Sequence, residues 1–208
     1  GQAMLVIGTS GVLLANTERP KSVPGICALT HEGVFPGVCT MEAGQAGLGD
    51  CFGWLVEAFG LSHGELTQKA SALKPGQSGL LALDWWNGNR SILKNDGLTG
   101  LILGLNLQTR PEEIYRALIE ATAYGLRVIV DNYEEHGVAI GDICAAGGIA
   151  LKNPLLMQIY ADVLGRTLTV SGCKQAGARG SAIYASVAAG VFSDIEAASD
   201  ALRQPAAA

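Results

Sequence analysis

Residues Gly8-Thr9-Ser10-Gly11 join two short apolar segments and have the composition of a phosphate-binding turn. A tight turn of this kind directs successive backbone N–H groups outward, and the two hydroxyl groups add further donors. The alternative is an ordinary hairpin tip, because Gly and Ser are also common where two strands reverse direction. The turn is therefore a candidate site for a phosphate group.

Two further glycine-containing segments could bring bare backbone against a ligand. Gly147 and Gly148 follow a short apolar segment, and Asn153 precedes the next helix. Glycines at the carboxyl end of a strand let a ligand approach the backbone closely, and open α/β sheets bind ligands at that edge. Asn87 and Gly88 form a third candidate turn. Together these turns favour a nucleotide held through backbone contacts, although each could be a simple structural turn.

Other catalytic patterns are not found in the sequence. There is no Walker A lysine and no G-x-G-x-x-G segment. Ser10 has no histidine near it in the sequence, so no Ser-His-Asp arrangement is predicted. Single aspartates are more often helix caps or solvated residues than bases, so none is predicted to be catalytic; those beside predicted elements are Asp50, Asp84, Asp131 and Asp142. We also predict no resident metal site.

Helices and strands that alternate in the second half of the chain would position these turns. Apolar runs and alternation predict strands at 4–7, 12–16, 26–30, 34–40, 80–84, 101–105, 143–146 and 168–170. Helical spacing predicts helices at 45–59, 62–73, 109–136, 154–164, 178–189 and 194–202. Ser62 with Glu65, and Thr109 with Glu112, are typical of capping boxes at helix starts. Strands joined by hairpins come first in the chain, and strands that alternate with helices follow. This order predicts a mixed-sheet α/β domain.

Composition excludes several classes of function. The 208 residues carry a net charge of −5 and no run of Lys or Arg, so we expect no nucleic-acid partner. Apolar residues make up 49% of the chain, which argues against disorder, and no apolar stretch is long enough to predict a membrane span. The five cysteines contain no C-x-x-C pair and are expected to be reduced, which favours a cytoplasmic location.

Taken in order, the segments of the chain resemble the C-terminal half of the FGGY carbohydrate kinases, in particular the branch that acts on L-ribulose. The resemblance covers nearly the whole sequence. It is carried by MLVIGTSG (4–11), EAGQAGLGDCFGWLVE (42–57), LDWWNGNRS (83–91), LTGLILGLNLQT (98–109), ALIEATAYGLRVIV (117–130), GGIALKNPLLMQIYADVLGRTL (147–168) and GSAIYASVAAG (180–190).

The resemblance implies an actin-like, ribonuclease-H-like α/β fold, with a mixed five-stranded sheet and helices on both faces. It also implies ATP as co-substrate with Mg²⁺, and transfer of the γ-phosphoryl group to a ketopentose such as L-ribulose, in arabinose catabolism. By position, Gly8, Thr9 and Ser10 correspond to the phosphate turn, Asn87 and Gly88 to part of the nucleotide pocket, and Gly147, Gly148 and Asn153 to the adenosine side. A homodimer is a further expectation.

Two departures limit what the resemblance implies. Family members are more than twice as long, and their sugar site and general-base aspartate are expected before Gly1, so we expect residues 1–208 to be a C-terminal nucleotide-binding domain that does not phosphorylate sugar alone. Arg179 stands where relatives carry an apolar residue. Two alternatives stay open: a non-catalytic actin-like nucleotide-binding module, and a kinase of the same family for another ketose or polyol.

Overall fold

A computed structural model of the chain describes residues 2–203, which form an α/β domain around a mixed sheet. The eight strands are β1 (Ala3–Ile7), β2 (Gly11–Thr17), β3 (Ala28–His31), β4 (Cys39–Gln45), β5 (Leu81–Leu83), β6 (Leu101–Leu103), β7 (Ile143–Ala146) and β8 (Leu168–Val170). The seven helices are α1 (Gly49–Phe59), α2 (His63–Ser71), α3 (Pro111–Glu135), α4 (Gly148–Lys152), α5 (Pro154–Leu164), α6 (Ala176–Ala188) and α7 (Ile195–Ala201).

The main sheet has six strands in the order β3-β4-β2-β1-β7-β8, rather than the five that we expected. β7 pairs in parallel with both β1 and β8, whereas the pairs on the other side of β1 are antiparallel. Because β1 and β7 run in parallel, the turns that follow them emerge at the same edge. The predicted phosphate turn and the Gly147–Gly148 segment are therefore neighbours.

Helices lie on both faces of this sheet. Alternate residues of β1, such as Leu5 and Ile7, are fully buried in the core together with residues of α1, α3 and α5, as a strand with one core face requires. On the opposite face, Met4 and Cys144 share a cavity with Ser199 of α7. The mixed α/β architecture that the sequence predicts is confirmed.

The boundary between β4 and α1 differs from the prediction. The strand begins at Cys39 rather than at 34 and continues to Gln45, because Gly33 and Pro36-Gly37 keep the preceding residues in turns. The helix then begins only at Gly49. Nearly every residue of β4 is buried, so the strand lacks the alternation of polar and apolar residues that would have shown its extent.

The start of the longest helix also differs from the prediction. Thr109 does not cap the helix: its hydroxyl accepts a hydrogen bond from the Asn106 backbone N–H at 3.0 Å and closes the preceding turn. α3 begins at Pro111, and the Glu113 carboxylate accepts from the backbone N–H of Arg110 at 2.7 Å. The predicted capping box of α2 is confirmed, with Glu65 N–H donating to Ser62 Oγ at 3.2 Å.

β5 and β6, which the sequence predicts as strands at 80–84 and 101–105, form a separate two-stranded ribbon outside the main sheet. Ala82 and Ile102 on the inner side pack against the core. Leu81, Leu101 and Leu103 on the outer side are 63%, 52% and 61% exposed. An apolar run cannot show whether both faces of a strand are covered, and here one face is open.

Within residues 2–203, none of the helices has the length and apolar character needed to span a membrane.

Candidate nucleotide cavity

The turn after β1 is fastened to the first turn of α1. Gly8 N–H donates to Ser10 O at 2.9 Å, which closes the turn. The carbonyl oxygens of Gly8 and Thr9 accept hydrogen bonds from the first amides of α1, at 3.1 Å from Gly49 N and 2.9 Å from Leu48 N. These helix amides are therefore satisfied by the protein itself. Any phosphate must bind the outward side of the turn, where the exposed Thr9 lies.

The two glycines after β7 have different roles. Gly147 has φ of +111°, and a Cβ there would overlap Ile7 O, so only glycine fits this close approach to β1. Gly148 begins α4, and a Cβ there would meet nothing within 4 Å. Gly147 is thus needed for folding, whereas Gly148 leaves space beside the turn empty.

A cavity of about 1110 Å³ opens between these segments. This volume is slightly larger than the roughly 300–1,000 Å³ that small-molecule and cofactor sites usually occupy. Gly8 and Thr9 line it, together with residues of α1 and α2, which form one wall, and Gly148 and Lys152 of α4, which form a second wall. Bare backbone faces the cavity from both walls, because a Cβ at Gly53 of α1 would also meet nothing within 4 Å. The arrangement suits a ligand that lies flat against main chain.

The floor of the cavity is aromatic and hydrogen bonded. The Phe52 and Tyr115 rings pack with centroids 5.5 Å apart. Tyr115 Oη accepts a hydrogen bond from Asn153 Nδ2 at 3.1 Å and lies 3.3 Å from Thr67 Oγ1. Burial raises the pKa of Tyr115, and these hydrogen bonds offset part of that effect. The phenol is therefore a neutral structural group.

Asn153 has a structural role that the sequence did not predict. Its Oδ1 accepts from Leu156 N–H at 3.0 Å and caps α5, while its Nδ2 holds Tyr115. The residue lines the cavity but is 7% exposed. Asn153 would therefore affect a ligand mainly by holding Tyr115 in place.

The eight site residues that the sequence predicts lie in three different places in the structure. Four of them line the large cavity: Gly8, Thr9, Gly148 and Asn153. Three adjoin it: Ser10 closes the phosphate turn, Gly147 anchors α4, and Asn87 Nδ2 lies 3.4 Å from Asp50 Oδ2 at the start of α1. The eighth, Gly88, lines a separate cavity of about 180 Å³.

This second cavity contains a buried polar cluster that the sequence did not predict. Gln45 Nε2 donates to Asp84 Oδ2 at 2.6 Å and to Thr122 O at 2.7 Å, so both amide hydrogens are used. Burial raises the pKa of the Asp84 carboxyl, and the hydrogen bond from Gln45 acts in the opposite direction. The cluster fits only because position 125 is glycine: a Cβ there would overlap Asp84 Oδ2 and lie 2.6 Å from Gln45 Nε2.

The two sequence motifs EAGQ (42–45) and DWWNGNRS (84–91) pair with each other around this cavity. Besides the Gln45–Asp84 bond, Arg90 forms an ion pair with Glu42 at 2.8 Å, and Gly44 N–H donates to Ser91 Oγ at 2.7 Å. Their resemblance to one kinase branch thus has a structural basis, because each motif supplies the other's hydrogen-bond partners.

Arg179 lies outside both cavities. Its Nη1 donates to Leu202 O at 3.1 Å and fastens α6 to the end of α7. The departure from an apolar residue therefore does not alter the large cavity.

The fold is the actin-like ATPase fold that is found in solved sugar kinases. A family model for the C-terminal domain of the FGGY family of carbohydrate kinases matches residues 3–189, and the chain belongs to this family. It is 49% identical to a ribulokinase of Bacillus licheniformis over 91% of this chain, and 48% identical to a ribulokinase of Halalkalibacterium halodurans over 91%. A solved xylulose kinase from Rhodospirillum rubrum superposes on 100% of the chain with a TM-score of 0.80 and 25% identity.

The chain spans only part of each relative. It covers 37% and 36% of the two ribulokinases and 42% of the solved xylulose kinase.

Proposed function

We propose that this chain is the nucleotide-binding C-terminal domain of a longer ATP-dependent kinase, and that the large cavity binds ATP. The proposal rests on one observation. Gly53 on α1 and Gly148 on α4 have open Cβ positions, and both line the cavity together with the turn at Gly8–Thr9. N–H groups and a hydroxyl on that turn would stabilise the phosphates as charge redistributes during transfer. The sugar site and the general base would lie in another part of that longer protein, since this chain covers 37% and 36% of the ribulokinases it matches.

Mg²⁺ would enter this site as part of the nucleotide substrate. Within residues 2–203, no group of three His, Cys, Asp or Glu side chains is arranged to hold a metal ion. Of the two carboxylates in this part of the chain that line the cavity, Asp50 is the one bonded through its backbone to the turn, and it would be available to a metal held with the phosphates. Its position at the start of α1 is fixed by its backbone N–H, which donates to Thr9 O at 3.3 Å.

The acceptor that we propose is a ketopentose, L-ribulose, phosphorylated in the cytoplasm during arabinose catabolism. The proposal is supported by the similarity to ribulokinases and by the paired motifs 42–45 and 84–91 around the second cavity. In the full-length protein, an assay of ADP release with L-ribulose or with D-xylulose distinguishes this acceptor from that of the xylulose kinases. A homodimer stays a prediction.

Calorimetric titration of the 208-residue chain with Mg-ATP and Mg-ADP tests the cavity. We expect weak binding, with a dissociation constant of about 0.1–1 mM, because this chain is only part of the proposed kinase. We expect no sugar phosphorylation by this chain. Absence of heat at millimolar nucleotide would contradict the proposed site. Turnover of L-ribulose by the chain alone would contradict the proposal that the general base lies elsewhere in a longer protein.

A further inference from the structure

The charges that line the nucleotide cavity are unevenly distributed. Among residues 2–203, Lys152 is the one Lys or Arg side chain of the lining, which also contains the carboxylates of Asp50 and Glu57. Lys152 is exposed, and none of the ion pairs formed within residues 2–203 involves it. A cation without a protein partner thus lies in the wall of a cavity that otherwise carries negative charge.

The position of Lys152 on α4 places its side chain above the empty space at Gly148. Residues four apart lie on the same face of a helix, and helical side chains lean toward the N-terminal end. The N-terminal end of α4 is the end next to the phosphate turn, since Gly147, which precedes α4, lies against Ile7 at the end of β1. The stem of Lys152 is therefore expected to lean toward the end of α4 at Gly148, and both residues line the same cavity as Gly8 and Thr9.

A polyphosphate is the part of a nucleotide that such a charge would recognise. Two carboxylates repel phosphate and the turn supplies only neutral donors, so the ammonium group of Lys152 is the lining charge that attracts phosphate and offsets part of the repulsion. Lysine binds phosphate as a point charge, which requires no fixed bidentate geometry. We propose that Lys152 contacts the phosphate chain of the nucleotide and gives the cavity its preference for charged over uncharged adenosine compounds. This inference rests on the proposed nucleotide function.

The experiment compares ATP, ADP and adenosine by calorimetry with the wild-type chain, Lys152→Gln and Lys152→Arg. We expect Lys152→Gln to weaken ATP binding at least tenfold, to weaken ADP binding less, and to change adenosine binding by less than twofold. Lys152→Arg should restore most of the ATP affinity. Raising the salt concentration should weaken ATP binding more in the wild type than in Lys152→Gln, because salt screens exposed charges.

Lys69→Gln is the matched control, because Lys69 lies on α2 beside the cavity but does not line it. We expect its ATP affinity to equal that of the wild type. Equal losses of ATP and adenosine affinity in Lys152→Gln would overturn the inference, since the contact would then be to the base or ribose. Unchanged ATP affinity would also overturn it, and in both cases the nucleotide function would stand. A wild-type chain that binds neither ATP nor adenosine would overturn the function and this role together.

Discussion

The two cavities of this domain use glycine in opposite ways. Around the large cavity, Gly53 and Gly148 have empty space where a Cβ would lie. Beside the small cavity, Gly125 is packed so closely that a Cβ would overlap the Asp84 carboxylate. Glycine keeps space open for a ligand in the first case and lets protein groups meet in the second. Substitution at the two kinds of site should therefore affect different measurements.

The largest effect is expected at the small cavity. Gly125→Ala should lower the free energy of unfolding by about 2–3 kcal/mol, because the methyl group must separate the Gln45–Asp84 pair in a packed interior. This loss should outweigh the gain in helix propensity, which is about 1 kcal/mol. Urea denaturation followed by circular dichroism measures the change.

Gly53→Ala on α1 is the matched control for that helix substitution. Because its Cβ position is open, only the gain in helix propensity should remain, and the free energy of unfolding should rise or stay the same. If Gly125→Ala proves as stable as the wild type, the close contact with Asp84 does not require glycine at position 125.

At the large cavity, we expect a loss of binding without a loss of stability. Gly148→Val should weaken ATP binding at least tenfold, about 1.4 kcal/mol, because the side chain occupies the space beside the phosphate turn. Its free energy of unfolding should stay within about 1 kcal/mol of the wild type. Calorimetry and urea denaturation of the same preparation separate the two quantities.

Gly177→Val is the control for this substitution, since Gly177 lies on α6 with an open Cβ position and lines none of the cavities described above. Its ATP affinity should match that of the wild type. A collapse of stability in Gly148→Val alone would mean that Gly148, like Gly147, is required for folding.

The smallest effect is expected in the pH dependence of stability. Burial raises the folded-state pKa of Asp84 above its ordinary value of 3.8. The contribution of the protonated Asp84 side chain to stability is therefore fully present below the ordinary pKa and is lost as the pH rises through the folded-state pKa. Asp84→Asn removes this loss while keeping an oxygen that can accept from Gln45. Urea denaturation at pH 4 and pH 7.5 should show a smaller decline with pH in the variant than in the wild type.

Asp194→Asn supplies a contrast of opposite sign. Hydrogen bonds from the Ala197 backbone N–H and the Ser193 hydroxyl lower the pKa of Asp194, so its contribution to stability is present above the ordinary pKa and is lost as the pH falls through the folded-state pKa. This variant should be less stable than the wild type at pH 7.5 and similar to it at strongly acid pH.

Identical pH profiles for wild type and Asp84→Asn would show that Asp84 is not a costly buried charge.

The sequence predicted the parts of the site that depend on local chemistry. The turn at Gly8–Thr9 and the Gly147–Gly148 segment both lie at strand ends, and glycines flanking apolar runs mark such turns directly. The capping box at Ser62 and Glu65 is likewise a pattern of four adjacent residues. These features need no knowledge of distant parts of the chain.

The parts that were missed depend on tertiary pairing or on very short elements. Gln45 and Asp84 are 39 residues apart, and nothing local shows that they meet. The available signal was Gly125, because a glycine within a 25-residue helix is costly and marks a close approach. α4 has five residues, too few to show helical periodicity, so Lys152 could not be placed on a cavity wall.

The pairing of β1 with β7 has a consequence for the order of folding. Ala3 lies opposite Ile143 in this pair, so its closure spans most of the chain, whereas β1, β2 and β4 can associate within the first 45 residues. Pairings of high sequence separation form slowly, because the loop entropy must be overcome before the contacts contribute. The two walls of the nucleotide cavity are joined by this late pairing. Nucleotide should therefore bind only after the last strands have assembled, and it should slow unfolding rather than speed the earliest folding steps.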